Sequence, residues 1–475
     1  MYQPLWILFQ ATCSIATLVN RPPELRVVIS RGVVYGIYNN TAQTVRAFLG
    51  IPYAESPVGR LRFAPPQPKL PTQYPIDASS FRNSCPQVYT YSNESIWRIL
   101  PYKIWNAASM SEDCLHINIW TPSFKHQGRS ARKAAVMMFM HGGGYGSGSG
   151  SVAFYDGTTL VQENDDVIVV TFNYRLNVFG FPNAPGLNPL EQNLGLMDQR
   201  LAVKWVHENI ANFGGDPKRI LLFGQSAGAS SVDIYSYAYP DNPLVSAFAL
   251  HSGTARLLTT EPDHENWNQL STALGCGSDV ESLRCMRRVP AAKIVEVRTH
   301  GNYTFYPIID NRNVFADYAA RTAKGRLARL PTLAGITEHE FSAIVPLSQE
   351  SVNETEIYEN VQKSFNCPLR ETIKMRLDQN VPTWRYLYRG NFSSLSPTPW
   401  LGAYHTAEIP IVFGTYHLSY PRAPSAEEAE ASRYLQGAWV AFTKDPLHGL
   451  SQYGWPQFHF DGRSLHCTVL VPADH

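Results

Sequence analysis

Phe223-Gly224-Gln225-Ser226-Ala227-Gly228-Ala229 decides how the rest of this chain is read. It follows an apolar run, Arg219-Ile220-Leu221-Leu222-Phe223, that reads as a buried strand. It leads into Ser230-Ser231-Val232-Asp233-Ile234-Tyr235, which reads as helical. A serine between two glycines, each two residues away, on a strand-to-helix turn is a nucleophile elbow. The turn is so sharp that only glycine leaves room for the backbone on either side, and it lifts the hydroxyl clear of the sheet. The pentapeptide alone carries little weight, so its surroundings must supply the rest.

The 475 residues are of ordinary globular composition, 44% hydrophobic and 17% charged, with a net charge of +1. A near-neutral chain gives no reason to expect nucleic acid or an anionic membrane as partner. At the N-terminus, Leu5-Trp6-Ile7-Leu8-Phe9 continues through Ala11 to Val19 as an apolar run with polar interruptions. It is too short to span a bilayer and fits the apolar core of a cleaved secretory leader, residues 1–19. Residues 20–475 then form a single domain with insertions, without repeats or low-complexity linkers.

Secretion gives meaning to five tripeptides and to the cysteines. Asn39, Asn93, Asn302, Asn353 and Asn391 each begin an N-glycosylation acceptor. Of seven cysteines, Cys13 would leave with the leader. The remaining Cys85, Cys114, Cys276, Cys285, Cys367 and Cys467 are an even set, as disulfides require. The stretch from Cys85 to Cys114 reads as a disulfide-closed loop, contributing on the order of 3 kcal/mol through chain entropy. No cysteine or histidine cluster has metal-ligand spacing, so neither metal nor other cofactor is expected.

Along the chain, Val27 to Phe48 alternates in short β-rich runs, with Asn39-Asn40 as a turn, and reads as a small antiparallel sheet. Leu115 to Trp120 alternates as a strand. Ala134 to Met140 and Val167 to Phe172 are continuous apolar runs, as in strands covered on both faces. Leu196 to Val206 has helical spacing. Strand, helix, strand in that order is the grammar of a mostly parallel sheet with helices on both faces. Later strands fall at Ala247 to Leu250, Leu330 to Gly335 and Trp384 to Tyr388.

An elbow serine needs a base, an acid that orients the base, and donors for a developing oxyanion. In such a sheet the order along the chain is serine, then acid, then histidine, with the oxyanion donors ahead of the serine. His141-Gly142-Gly143-Gly144-Tyr145-Gly146 follows the apolar run ending at Met140 and meets that requirement. The amides of Gly143, Gly144 and Ala227 are the expected donors. One such donor is worth about 2.7–4 kcal/mol of transition-state stabilisation.

These motifs resemble the type B carboxylesterase/lipase family, the cholinesterase-like branch of the α/β-hydrolases. Phe213 to Gly228 fits that family's serine signature throughout. Glu112 to Pro122 fits its second signature, with His116 where tyrosine or threonine is usual. Asn173-Tyr174-Arg175-Leu176 and Gly50-Ile51-Pro52-Tyr53-Ala54 also match. The resemblance implies an α/β-hydrolase fold and a serine hydrolase of small-molecule or lipid esters, with no cofactor. It places the acid in Gly335-Ile336-Thr337-Glu338-His339-Glu340-Phe341, at Glu340, with Phe341 replacing the usual glycine and Glu338 as the alternative. It places the base at His405 in Gly402-Ala403-Tyr404-His405-Thr406-Ala407-Glu408. It also implies disulfides Cys85–Cys114 and Cys276–Cys285 and an Arg62–Glu112 ion pair, and leaves Cys367 and Cys467 paired or free.

Departures from the pattern bear on substrate. Cholinesterases carry glutamate before the serine, and Gln225 stands here, which argues against choline esters although Trp105 lies near that group's choline-contacting tryptophan. The segment from Glu340 to Trp384 is short for the family, which implies a wider or less covered cleft. A binding protein of the neuroligin kind shares the fold, but that branch loses the serine, and this chain keeps all the motif residues.

Overall fold

The computed structural model describes residues 21–87, 109–124, 133–343, 354–396, 398–418, 423–459 and 469–470. The expected leader, Asn93, Trp105, Asn353, Cys13 and Cys467 lie outside the described residues. In chain order the strands are β1 (Arg26–Ile29), β2 (Gly32–Tyr35), β3 (Ile37–Tyr38), β4 (Val45–Pro52), β5 (Ile76–Asp77), β6 (His116–Pro122), β7 (Ala134–Met140), β8 (Val167–Phe172), β9 (Gly215–Gln225), β10 (Ala247–His251), β11 (Thr332–Thr337), β12 (Thr383–Tyr388) and β13 (Val469–Leu470). Ten of them form one sheet in the order β13-β12-β11-β10-β9-β7-β8-β6-β4-β3. From β8 through β13 every pairing is parallel, while β6, β4 and β3 run antiparallel at the far edge.

The small separate sheet pairs β1 with β2 antiparallel. It also gains β5, which runs parallel to β2. The Asn39-Asn40 turn belongs to the large sheet, where it joins β3 to β4.

Period-two alternation sorts the central strands onto two faces. Val136, Met138 and Met140 of β7, with Ile220 and Leu222 of β9, face one half of the core. Ala135, Met137 and Phe139, with Leu221 and Phe223, face the other. The helices Leu194–Asn209 and Ala227–Ala238 cover the first face through Ala202, Trp205, Val206, Val232 and Ile234. The helices Thr158–Glu163, Ile409–Phe413 and Ala426–Lys444 cover the second through Leu160, Val161, Val412, Leu435, Trp439 and Phe442. Burial on both sides is why β7 and β8 read as unbroken apolar runs.

Buried ion pairs fasten the loops around this sheet. Arg175 meets Asp198 at 2.7 Å, and Arg376 meets Asp233 at 2.5 Å, all four side chains being 2% exposed or less. Disulfides Cys85–Cys114 and Cys276–Cys285 are formed, and Arg62 pairs with Glu112 at 2.6 Å. Cys367 makes no disulfide among the described residues.

Candidate active site

Ser226 caps the start of the helix Ala227–Ala238 with φ 59° and ψ −125°. Few side chains tolerate that backbone region, and the surrounding packing holds it there. The serine amide donates to the His251 carbonyl at 2.8 Å, and its own carbonyl accepts from Ser230 at 2.9 Å. Glycine is required on both sides. A β-carbon on Gly228 would lie 2.1 Å from the Met140 carbonyl oxygen, and one on Gly224 would lie 2.5 Å from the Gly228 carbonyl carbon.

The loop after β7 wraps against this turn. A β-carbon on Gly142 would lie 2.6 Å from the Gln225 carbonyl oxygen and 2.9 Å from Ser226 Cβ. Gly143 and Gly144 follow with φ of 104° and 60°. Among the described residues their amides have no acceptor. The amide of Ala227 opens the helix, where the macrodipole favours negative charge. His141 anchors the loop from beneath: its ring stacks on Tyr174 at 4.4 Å, and its carbonyl accepts from the Tyr174 hydroxyl at 2.8 Å. Burial pushes the His141 imidazole down to about 4, so it is neutral at pH 7, and its Nδ1–H donates to the Gly142 carbonyl at 2.9 Å.

Glu340 and His405 come together across 65 residues of sequence. Glu340 Oε2 accepts a short hydrogen bond from His405 Nδ1, while Oε1 accepts the Thr337 amide at 2.9 Å. Glu340 is fully buried and His405 is 6% exposed. Glu338, the alternative acid, points elsewhere and pairs with Arg389 at 2.7 Å, leaving Glu340 as the carboxylate on the imidazole. Phe341, which stands where glycine is usual, packs edge-on to Phe365 at 5.7 Å, and Phe365 lies 5.3 Å from the His405 ring. From the short segment after Glu340, the π-turn Gln362–Asn366 thus covers the histidine with Phe365.

No hydrogen bond joins Ser226 Oγ to His405. The imidazole Nε2 instead faces Gln225 Nε2 at 3.0 Å. With Nδ1–H donating to Glu340, Nε2 is the acceptor and the Gln225 amide donates. That fixes the tautomer a general base needs, and Nε2 stays beside the elbow. Sequence reasoning used Gln225 only to weigh substrates and missed this contact.

It also missed a buried cluster beneath the site. His251, at the end of β10, accepts from Trp439 Nε1 at 3.0 Å, and its Nδ1 lies 3.4 Å from Glu408 Oε1 without hydrogen-bond alignment. Glu408 closes the loop that carries His405, and His251 holds the Ser226 amide through its carbonyl. The glutamate was visible in the Gly402 to Glu408 run, but nothing in the sequence joins it to His251.

Of the acceptor asparagines within the described residues, Asn302 is exposed, whereas Asn39 and Asn391 are half-buried. The Asn39 amide bonds the Thr158 hydroxyl. Among the described residues no group of three or more His, Cys, Asp and Glu side chains is arranged for a metal ion. No helix there is long and apolar enough to cross a membrane.

Comparison with known proteins identifies the family. A profile of the carboxylesterase family matches residues 23–364 and 360–468. The chain is 40% identical over 432 residues to a chlorogenic acid esterase of Aspergillus niger, covering 90% of this chain and 83% of that protein. It is 34% identical to secreted lipase 5 of Gibberella zeae, covering 91% and 88% respectively. It is 29% identical to an acetylcholinesterase of Bungarus fasciatus, covering 96% and 85%. With the sheet, the elbow and the matched span in agreement, the chain belongs to the carboxylesterase family of α/β-hydrolases and is a carboxylic ester hydrolase.

Proposed function

We propose that this protein is a secreted serine esterase that works through an acyl-enzyme on Ser226. The observation that carries the reading is the Glu340–His405 pair, whose second imidazole nitrogen meets Gln225, the residue next to the elbow serine, with the glycine loop packed against that same turn. His405 takes the proton from Ser226 Oγ as the oxygen attacks the ester carbonyl. The oxyanion of the tetrahedral intermediate accepts from the Gly143, Gly144 and Ala227 amides. His405 then gives its proton to the departing alkoxide, which leaves as the alcohol. Water repeats the cycle on the acyl-enzyme, releasing the acid and restoring Ser226. Glu340 stays ionised and stabilises the imidazolium.

The substrate is an ester of a small organic acid or a lipid, in keeping with relatives named for chlorogenic acid and for lipase activity. Two disulfides and a relative named as secreted support an extracellular location. Residues 1–19 are the proposed leader, and Asn302 is, among the described residues, the exposed acceptor for glycan. Ser226→Ala should abolish hydrolysis of para-nitrophenyl acetate and labelling by a fluorophosphonate. Labelling that persists in the variant would remove Ser226 from the role. An ester series from acetate to palmitate then separates esterase from lipase, and N-terminal sequencing of the protein from a secretory host tests the leader.

A further inference from the structure

Arg298 lies on the helix Ala291–His300, one end of which is fixed in the core by Ile294. Its guanidinium reaches the glycine loop: a β-carbon on Gly146 would sit 3.6 Å from Arg298 Nη2. The Gly146 amide donates to the Gly143 carbonyl at 3.1 Å, closing a tight turn. Gly146, beside the cation, therefore stands one turn, a Cα span of about 7 Å, from Gly143, an expected oxyanion donor. Gly144, between them, meets only Leu258 Cδ1 at 3.9 Å on the side a β-carbon would occupy.

Among the described residues this cation has no counter-charge within ion-pair distance. Arg62, Arg175 and Arg376 are all buried and all paired with a carboxylate. Arg298 is half-buried, and among the described residues its side chain makes neither an ion pair nor a hydrogen bond. Its Nε is shut off from solvent without an acceptor. On the same helix Lys293 and Glu296 bind each other at 3.0 Å, and His300 is exposed. Burial holds the Arg298 pKa below the ordinary arginine value, and the nearby Tyr306 phenol opposes that shift. A half-buried, unpaired guanidinium is costly, and its planar fork of donors matches a carboxylate.

We propose that Arg298 receives a carboxylate borne by the substrate, so that the favoured esters are anionic ones whose acid group lies several atoms from the scissile carbonyl. The proposal rests on the ester-hydrolase reading. Its test compares kcat/KM for two matched pairs, corrected for spontaneous hydrolysis. Para-nitrophenyl hemiglutarate against para-nitrophenyl glutaramate places the charge on the acyl side. O-acetyl-lactate against O-acetyl-lactamide places it on the alcohol side. The wild-type enzyme should prefer the carboxylate in one pair. Arg298→Gln should reduce that preference roughly 10- to 100-fold, chiefly through KM, the range of a charge-assisted hydrogen bond. Turnover of the neutral amides should stay within about twofold of wild type, given that the guanidinium has no partner to lose. No preference in either wild-type pair overturns the proposal without any variant, and so does a preference that survives Arg298→Gln. Failure of the wild type to cleave even the neutral members would instead refute the hydrolase reading.

Discussion

Exchanging Glu340 for glutamine tests the arrangement at its most sensitive point, because size is kept while one acceptor oxygen becomes an NH2 donor and the negative charge is lost. In the native site the carboxylate receives two donors, the Thr337 amide on Oε1 and His405 Nδ1 on Oε2. The Thr337 amide can donate only to the glutamine oxygen, so the new NH2 must face Nδ1. His405 then has to present a lone pair there and carry its proton on Nε2. That proton points at the Gln225 amide, which now has to turn over, and Nε2 can no longer accept from Ser226. The corresponding tautomer inversion in another triad costs about 10⁴-fold in kcat, or roughly 5.4 kcal/mol of barrier. Steady-state kcat with para-nitrophenyl acetate reads it, with thermal unfolding to show that the fold is kept. Glu338→Gln is the control, since the half-exposed Glu338 pairs with Arg389 and lies near His339 rather than against His405, and the variant should stay within a few-fold of wild type. A Glu340→Gln enzyme within tenfold of wild type, or an equal loss in Glu338→Gln, would refute the reasoning.

Three further outcomes are expected. Gly228→Ala drives a methyl carbon to 2.1 Å from the Met140 carbonyl oxygen, so the elbow must shift, and both activity and melting temperature should fall; an active variant with unchanged melting would show that the turn is not tight. Burial holds both His141 and His116 at about 4, below the ordinary 6.5, so the unfolded chain binds more protons between those values. Stability should be full above about pH 6.5 and fall by roughly 1.4 kcal/mol per pH unit for each histidine down to about pH 4; replacing His141 by Gln should flatten that slope in urea titrations, and an unchanged slope would exclude His141 as its source. Arg376→Ala leaves Asp233 buried without its partner and should cost about 3–5 kcal/mol by chemical denaturation, whereas a loss under 1 kcal/mol would mean that water reaches the carboxylate.

The parts legible in the sequence are those with a local signature. β7 and β8 announce themselves by unbroken apolar runs, and the elbow by glycines whose spacing answers a steric need within five residues. Element ends moved by one to four positions: β9 begins at Gly215 rather than Arg219, and β11 begins at Thr332 rather than Leu330, because Thr332 is the first residue whose amide and register join β12. What stayed hidden depends on packing between distant segments. Gln225 and His405 meet across 180 residues, and no spacing rule forecasts an amide taking the nitrogen that should meet the serine. Phe341 looked like a departure that loosened the register, yet its ring fills the space against Phe365 that shields the histidine. The strand β5 is two residues long, too short to show a period.

The Asp233–Arg376 pair has a consequence for the order in which the molecule is made. Asp233 lies one turn beyond the end of the elbow's first helical turn, and its counter-charge arrives 143 residues later. A growing chain that has passed the serine therefore holds a carboxylate that cannot be buried at low cost until the helix Cys367–Leu377 has emerged. The nucleophile's helix should close last rather than first, leaving nascent chains without a working serine. Limited proteolysis of ribosome-bound chains of increasing length would show it, with protection of the helix Ala227–Ala238 starting only once Arg376 is clear of the exit tunnel.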